Sequence, residues 1–73
     1  MAVSGDNYDI TVNGQPTSIP VGCTVEGLLS QLEIMRRRVA VAVNHDVVPR
    51  GSYPETKLTA GDQIEILEAV GGG

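Results

Sequence analysis

Asn13-Gly14 lies between two stretches of alternating hydrophobicity, and no other feature restricts the fold of this 73-residue chain so tightly. An Asn-Gly pair tolerates the positive φ angles of a type I′ turn, the two-residue link that joins paired antiparallel strands. Upstream, Tyr8, Ile10 and Val12 share one face while Asp9 and Thr11 share the other, the period of a half-buried strand. Downstream, Gln15–Val21 alternates at Thr17, Ile19 and Val21. Pro16 and Pro20 lack an amide hydrogen, so the return strand is predicted at an edge of the sheet.

Thr24 then offers its hydroxyl as an N-cap, and Glu26 puts negative charge in the first turn of the helix it opens. Val25, Leu28, Leu29 and Leu32 fall at i, i+3, i+4 and i+7, a single apolar stripe. Gly27 interrupts this helix at a cost of about 1 kcal/mol relative to Ala, and close packing on the sheet is the expected compensation. The helix is predicted to end near Glu33–Arg36. Val39-Ala-Val-Ala-Val43 is apolar on both faces and β-branched, which predicts a central strand covered on both sides or nearly so. Asn44-His45-Asp46 reads as a turn, Val47-Val48 as a brief strand stopped by Pro49, and Arg50–Lys57 as irregular chain. Ala60-Gly61-Asp62 turns into a last strand, Gln63–Ala69, with Ile64 and Ile66 pointing inward.

That order predicts an α+β domain of the β-grasp type: a mixed four- to five-stranded sheet with one main helix packed on one face. Residues 8–69 form the domain, 1–7 an N-terminal extension and 70–73 a flexible glycine tail.

Composition excludes several functions. A domain of this size buries only about 60% of its unfolded surface, yet neither disulfide nor metal is available to brace it. Cys23 is the single cysteine and no His cluster has metal-ligand spacing, a usage that suits the reducing cytoplasm. Met1–Asp6 has neither basic region nor apolar run, so no signal peptide is expected there. The longest apolar run, Val39–Val43, falls far short of the roughly 20 residues that span a bilayer. Nine acidic against five basic residues leave a net charge of −4, and two tyrosines are the only aromatics. Nucleic acid is therefore not an expected partner, whereas an acidic surface suits docking onto a basic face of another protein.

The chemistry lies at the end, Val70-Gly71-Gly72-Gly73. Without Cβ atoms its three glycines let the tail extend, thread a narrow channel and bring its carboxylate against another backbone. A free α-carboxyl ionises near pH 3.3–3.7 and is a poor electrophile at pH 7. To react it needs activation, and a mixed anhydride with AMP supplies the leaving group. The bland alternative is a frayed terminus.

The runs Ala42-Val-Asn-His-Asp-Val-Val-Pro-Arg50, Ala60-Gly-Asp-Gln-Ile-Glu-Ile66 and Val70-Gly-Gly-Gly73 resemble the ThiS-type sulfur carriers of thiamine biosynthesis, a ubiquitin-like β-grasp family. Val12-Asn-Gly14 and Thr24-Val-Glu-Gly-Leu-Leu29 extend the resemblance, which covers Tyr8 to the last residue. It implies a protein that is not an enzyme but a sulfur donor. A ubiquitin-activating-like adenylating enzyme would use ATP and Mg²⁺ to convert the Gly73 carboxylate to an acyl-adenylate. Sulfur from a persulfide relay would then displace AMP, and thiazole synthase would take sulfur from the resulting thiocarboxylate. Gly71 and Gly72 would provide reach, and no cofactor would be bound by the chain itself. Leu67, Ala69 and Val70, on the sheet face near the tail, are the expected docking positions.

Other features point elsewhere only weakly. Arg36-Arg37-Arg38 reads as a solvated cluster meeting the C-terminal end of the helix dipole. His45 reads as a solvated turn residue, and Cys23 as an incidental thiol rather than one activated by the helix N-terminus. Arg50 reads as a cover for the sheet edge or the partner of an acid. The small subunit of molybdopterin synthase shares the Gly-Gly tail chemistry, as do carriers for other thiolations or for lysine conjugation. A β-grasp interaction module with an idle tail is the alternative of another class.

Overall fold

Backbone angles bear out the hairpin: φ is 52° at Asn13 and 83° at Gly14, positive at both central residues as a type I′ turn demands. The structure is a computed structural model that describes residues 7–34 and 38–68. The first strand, β1 (Asn7–Val12), pairs antiparallel with β2 (Gln15–Pro20), from Asn7 opposite Pro20 to Val12 opposite Gln15. Asn7, expected to close the N-terminal extension, is thus the first residue of β1. β2 is outermost in the sheet, where its prolines leave no ladder bond unmade. Val21 is not part of β2 and stands 48% exposed. Gly22 (φ 91°) turns the chain there, and the Cys23 N–H donates back to the Pro20 carbonyl at 3.0 Å.

Helix α1 (Val25–Gln31) begins at the predicted cap, with the Thr24 hydroxyl oxygen accepting the Gly27 N–H at 3.1 Å. It buries Val25, Leu28 and Leu29. It ends earlier than the stripe suggested. Glu33 takes up φ 62°, its N–H donates to the Ser30 carbonyl, and the Ile34 N–H donates to the Leu29 carbonyl at 2.9 Å. This is a Schellman close, in which an apolar residue just past the helix packs back on the last turn; Ile34 does pack against the core. The arginine run therefore begins beyond the last turn, which holds no basic residue. Arg38 is exposed, and Arg36 and Arg37 lie outside the described residues. A left-handed Glu is costly where Gly is free of the Cβ clash. Glu33→Gly is accordingly expected to stabilise the fold by about 0.5–1 kcal/mol, read as a higher urea midpoint; a lower midpoint would refute the Schellman assignment.

Gly27 does not serve the sheet contact. A Cβ there would stand 3.1 Å from the Cys23 sulfur, so the glycine makes room for the thiol beneath the first helical turn.

The second hairpin joins β3 (Val39–Val43) to β4 (Asp46–Val48) through Asn44 (φ 51°) and His45 (φ 72°), again positive at both turn residues. The last strand, β5 (Gln63–Glu68), runs parallel to β1 and antiparallel to β3, and the sheet order is β2-β1-β5-β3-β4. β3 lies inside the sheet between β5 and β4, as expected of a central strand, and β5 is the middle one of the five. The expectation that β3 is covered on both faces is corrected, since Val41 is 1% exposed while Ala40 is open to solvent. The run alternates in size rather than polarity. Its valines face the core and its alanines face out, a pattern that simple hydropathy does not separate.

One face of the sheet contributes Ile10, Ile19, Val41, Val48, Ile64 and Ile66 to the core, α1 adds its three apolar residues, and the crossover adds Tyr53 and Leu58. That crossover is less irregular than expected. It contains a 3-10 turn, Arg50–Ser52, and the Thr56 and Tyr53 carbonyls accept the Val25 and Glu26 N–H groups at 2.9 and 3.1 Å. Together with Thr24 they satisfy the orphan amides that every helix N-terminus exposes.

Candidate functional site

The tail follows β5, so the groups that hold β5 position whatever the tail does. Its ladder with β1 is short, Thr11 opposite Gln63 and Val12 opposite Ile64, and the Asn13 side chain extends it. Asn13 Nδ2 donates to the Ile66 carbonyl at 3.1 Å while Asn13 Oδ1 accepts the Ile66 N–H at 2.9 Å. Asn44 does the same service from the other hairpin. Its Oδ1 accepts the Gln63 N–H at 2.9 Å, and its Nδ2 donates to Asp62 Oδ1 at 3.0 Å. Two turn asparagines thus clasp the middle strand from both neighbours. Sequence reading found both as turn residues and missed their reach, because the partners are far away along the chain. Asn13→Gly keeps the turn angles but deletes both side-chain bonds, and is expected to cost about 1–2 kcal/mol in chemical denaturation. Wild-type stability in that variant would show that the clasp contributes nothing.

Alternation along β5 buries Ile64 and Ile66 and leaves Leu67 71% exposed, as its sequence predicts. Of the expected docking positions Leu67 alone is described. Ala69, Val70 and the three glycines Gly71, Gly72 and Gly73 lie outside the described residues. Cross-strand register enlarges the site beyond Leu67. Ala40 sits opposite Leu67, and Ala42 lies opposite both Val47 and Glu65. Val47 is 77% exposed. Ala40, Ala42, Val47 and Leu67 line one shallow depression on the face turned away from α1, rimmed by His45, whose Nδ1 lies 4.0 Å from Glu65 Oε1. Val47 could have been found from sequence, since adjacent residues of a strand point to opposite faces and Val48 belongs to the core.

Cys23 is partly buried, its thiol donates to the Thr24 carbonyl at 3.4 Å, and desolvation pushes its pKa up. That is opposite to the activation a helix N-terminus can give. Arg50 is exposed at the start of the 3-10 turn. Among the described residues no group of acidic, His and Cys side chains could hold a metal ion, and no helix is long and apolar enough to cross a membrane.

Known proteins resemble the chain along nearly all of its length. The model of the ThiS family matches residues 10–73. The sulfur carrier protein ThiS of Escherichia coli is 34% identical over 64 residues, covering 88% of this chain and 97% of the relative. The crystal structure of thiamine biosynthesis protein ThiS from Geobacter metallireducens shares 33% identity and a TM-score of 0.78, over 90% of this chain and 100% of that one. A thiazole synthase from Magnetococcus marinus is 44% identical over 88% of this chain. The chain spans only 20% of the length of the thiazole synthases it matches.

Proposed function

Since the chain belongs to the ThiS family of sulfur carriers, we propose that it carries sulfur for thiazole formation as a thiocarboxylate on Gly73. The observation that carries this reading is the reach of the family match, which runs through the terminal glycines to residue 73. The chain supplies the group that is modified, and partners supply the catalysis.

In the first step a Gly73 carboxylate oxygen attacks the α-phosphorus of ATP and pyrophosphate leaves, giving an acyl-adenylate. The adenylating partner holds the ATP and Mg²⁺; the chain itself binds neither. The terminal sulfur of a persulfide then attacks the acyl carbon and AMP departs, leaving an acyl disulfide. A thiol attacks the partner's sulfur in that disulfide, forming a new disulfide with it and releasing the thiocarboxylate. Gly71 and Gly72 give the reach and slimness that a covered active site requires. The apolar patch around Leu67 docks the folded body, and Ala69 and Val70, next in the sequence, are assigned the same role. Exposed apolar surface of this kind marks protein contacts.

Thiazole synthase is the acceptor on this reading. Proteins of that name that contain a segment like this chain support the pairing. All steps suit the cytoplasm, where thiols stay reduced.

The test is intact mass after incubation with the adenylating enzyme, ATP, Mg²⁺ and a persulfide donor. A gain corresponding to one sulfur in place of one oxygen is the expected result. Unchanged mass, with a partner that adenylates a control carrier, would remove the carrier assignment.

A further inference from the structure

Where β5 gives way to the tail, a groove is lined by Arg38, Val39, Ala40, Arg50, Leu67 and Glu68. Val39 pairs with Glu68, the last residue of β5, so Arg38 adjoins the point at which the tail departs. Arg50 reaches the same groove from the 3-10 turn that follows β4. Two hairpin-distant arginines thus meet at one spot on a chain of net charge −4. The described residues hold three cationic side chains, Arg38, Arg50 and Lys57, and Lys57 lies outside this groove. Two of the three cations among the described residues therefore share one groove, beside Glu68.

We propose that Arg38 and Arg50 form a cationic collar at the root of the tail that binds an acidic rim on the adenylating partner, around the channel that admits the glycines. The inference deepens the carrier reading and rests on it. Three observations select this occupant. The groove shares Ala40 and Leu67 with the apolar patch, so a body docked on the patch also covers the arginines. Residues 69–73 extend roughly 17 Å when straight, so with Gly73 at the nucleotide the collar stays at the channel mouth, away from the phosphates of ATP. The guanidinium fork also matches carboxylates in paired hydrogen bonds, a specificity that general charge attraction does not give.

The experiment is calorimetric titration of the adenylating enzyme with Arg38→Glu, Arg50→Glu and Lys57→Glu, each of which changes net charge by the same amount. Both arginine variants are expected to bind about tenfold more weakly at low salt, and Lys57→Glu to stay within about twofold of wild type. The gap should narrow at about 0.5 M salt, where charges are screened over a few ångströms. Arg38→Ala and Arg50→Ala, with smaller losses, guard against misfolding, as does an unchanged melting temperature. Equal weakening by all three reversals would reduce the effect to net charge and overturn the collar. Loss seen only with ATP bound would mean that the arginines touch the nucleotide, which also overturns it. Pyrophosphate exchange is followed in parallel. A wild-type chain that binds but is not adenylated removes the carrier reading, while the affinities still decide the collar; a wild-type chain that does not bind removes both.

Discussion

Deleting Gly73 is expected to abolish thiocarboxylate formation completely and to leave the fold untouched. The reacting carboxylate would then sit on Gly72, one residue short, and a displacement of about 3.5 Å takes it out of line with the α-phosphorus. In-line displacement tolerates no such error, since even 1 Å of misplacement costs about 100-fold. Stability should remain within about 0.5 kcal/mol of wild type, because every buried core residue described lies at or before Ile66. Two measurements decide it together: intact mass after the sulfur-loading reaction and the urea midpoint. Sulfur loading at the wild-type level would mean that the terminal glycine is not the working group. A large drop in midpoint would mean that the tail belongs to the folded body, and the loss of loading would then say nothing about its chemistry.

Two residues of β5, three positions apart, should separate folding from docking. Ile64 is 1% exposed and Leu67 is 71% exposed. Ile64→Ala removes methyl groups from the centre of the core, where neither helix nor sheet can close the gap, and should cost about 3 kcal/mol. In a domain of this size that lowers the melting temperature by roughly 10–20 °C. Leu67→Ser should leave stability within about 0.5 kcal/mol but weaken binding to the adenylating enzyme by on the order of tenfold, the worth of most of one leucine side chain leaving water. The comparison is informative because both residues are large aliphatics on one strand, and only the face differs. If Leu67→Ser melts like Ile64→Ala, the outer face is covered in solution. If it binds like wild type, the patch is not the docking surface.

Local chemistry is enough to account for much of what was legible before any coordinates. Asn13-Gly14 sets its own turn because few other residue pairs accept two positive φ angles. Thr24 caps its helix with its own hydroxyl, and the prolines of β2 exclude it from the sheet interior. All of these signals act within a few residues of their cause, which is why they can be read in order along the chain.

What the tertiary structure decided is everything that depends on register between distant segments. Hydropathy along Val39–Val43 does not tell which of its faces is open; the packing of its valines against the core does. Nothing local to Asn13 or Asn44 reveals that both amides grip β5, since those partners exist only once three strands are side by side. The helix ends at Gln31 rather than later because Ile34 gains a place on the core by turning back, a contact that propensity does not contain. Arg38 and Arg50 likewise come to line one groove only when β3 and the turn after β4 meet at the end of β5. Hydrogen bonds and charges between segments depend on which strands become neighbours, and strand order is a choice the whole core makes at once.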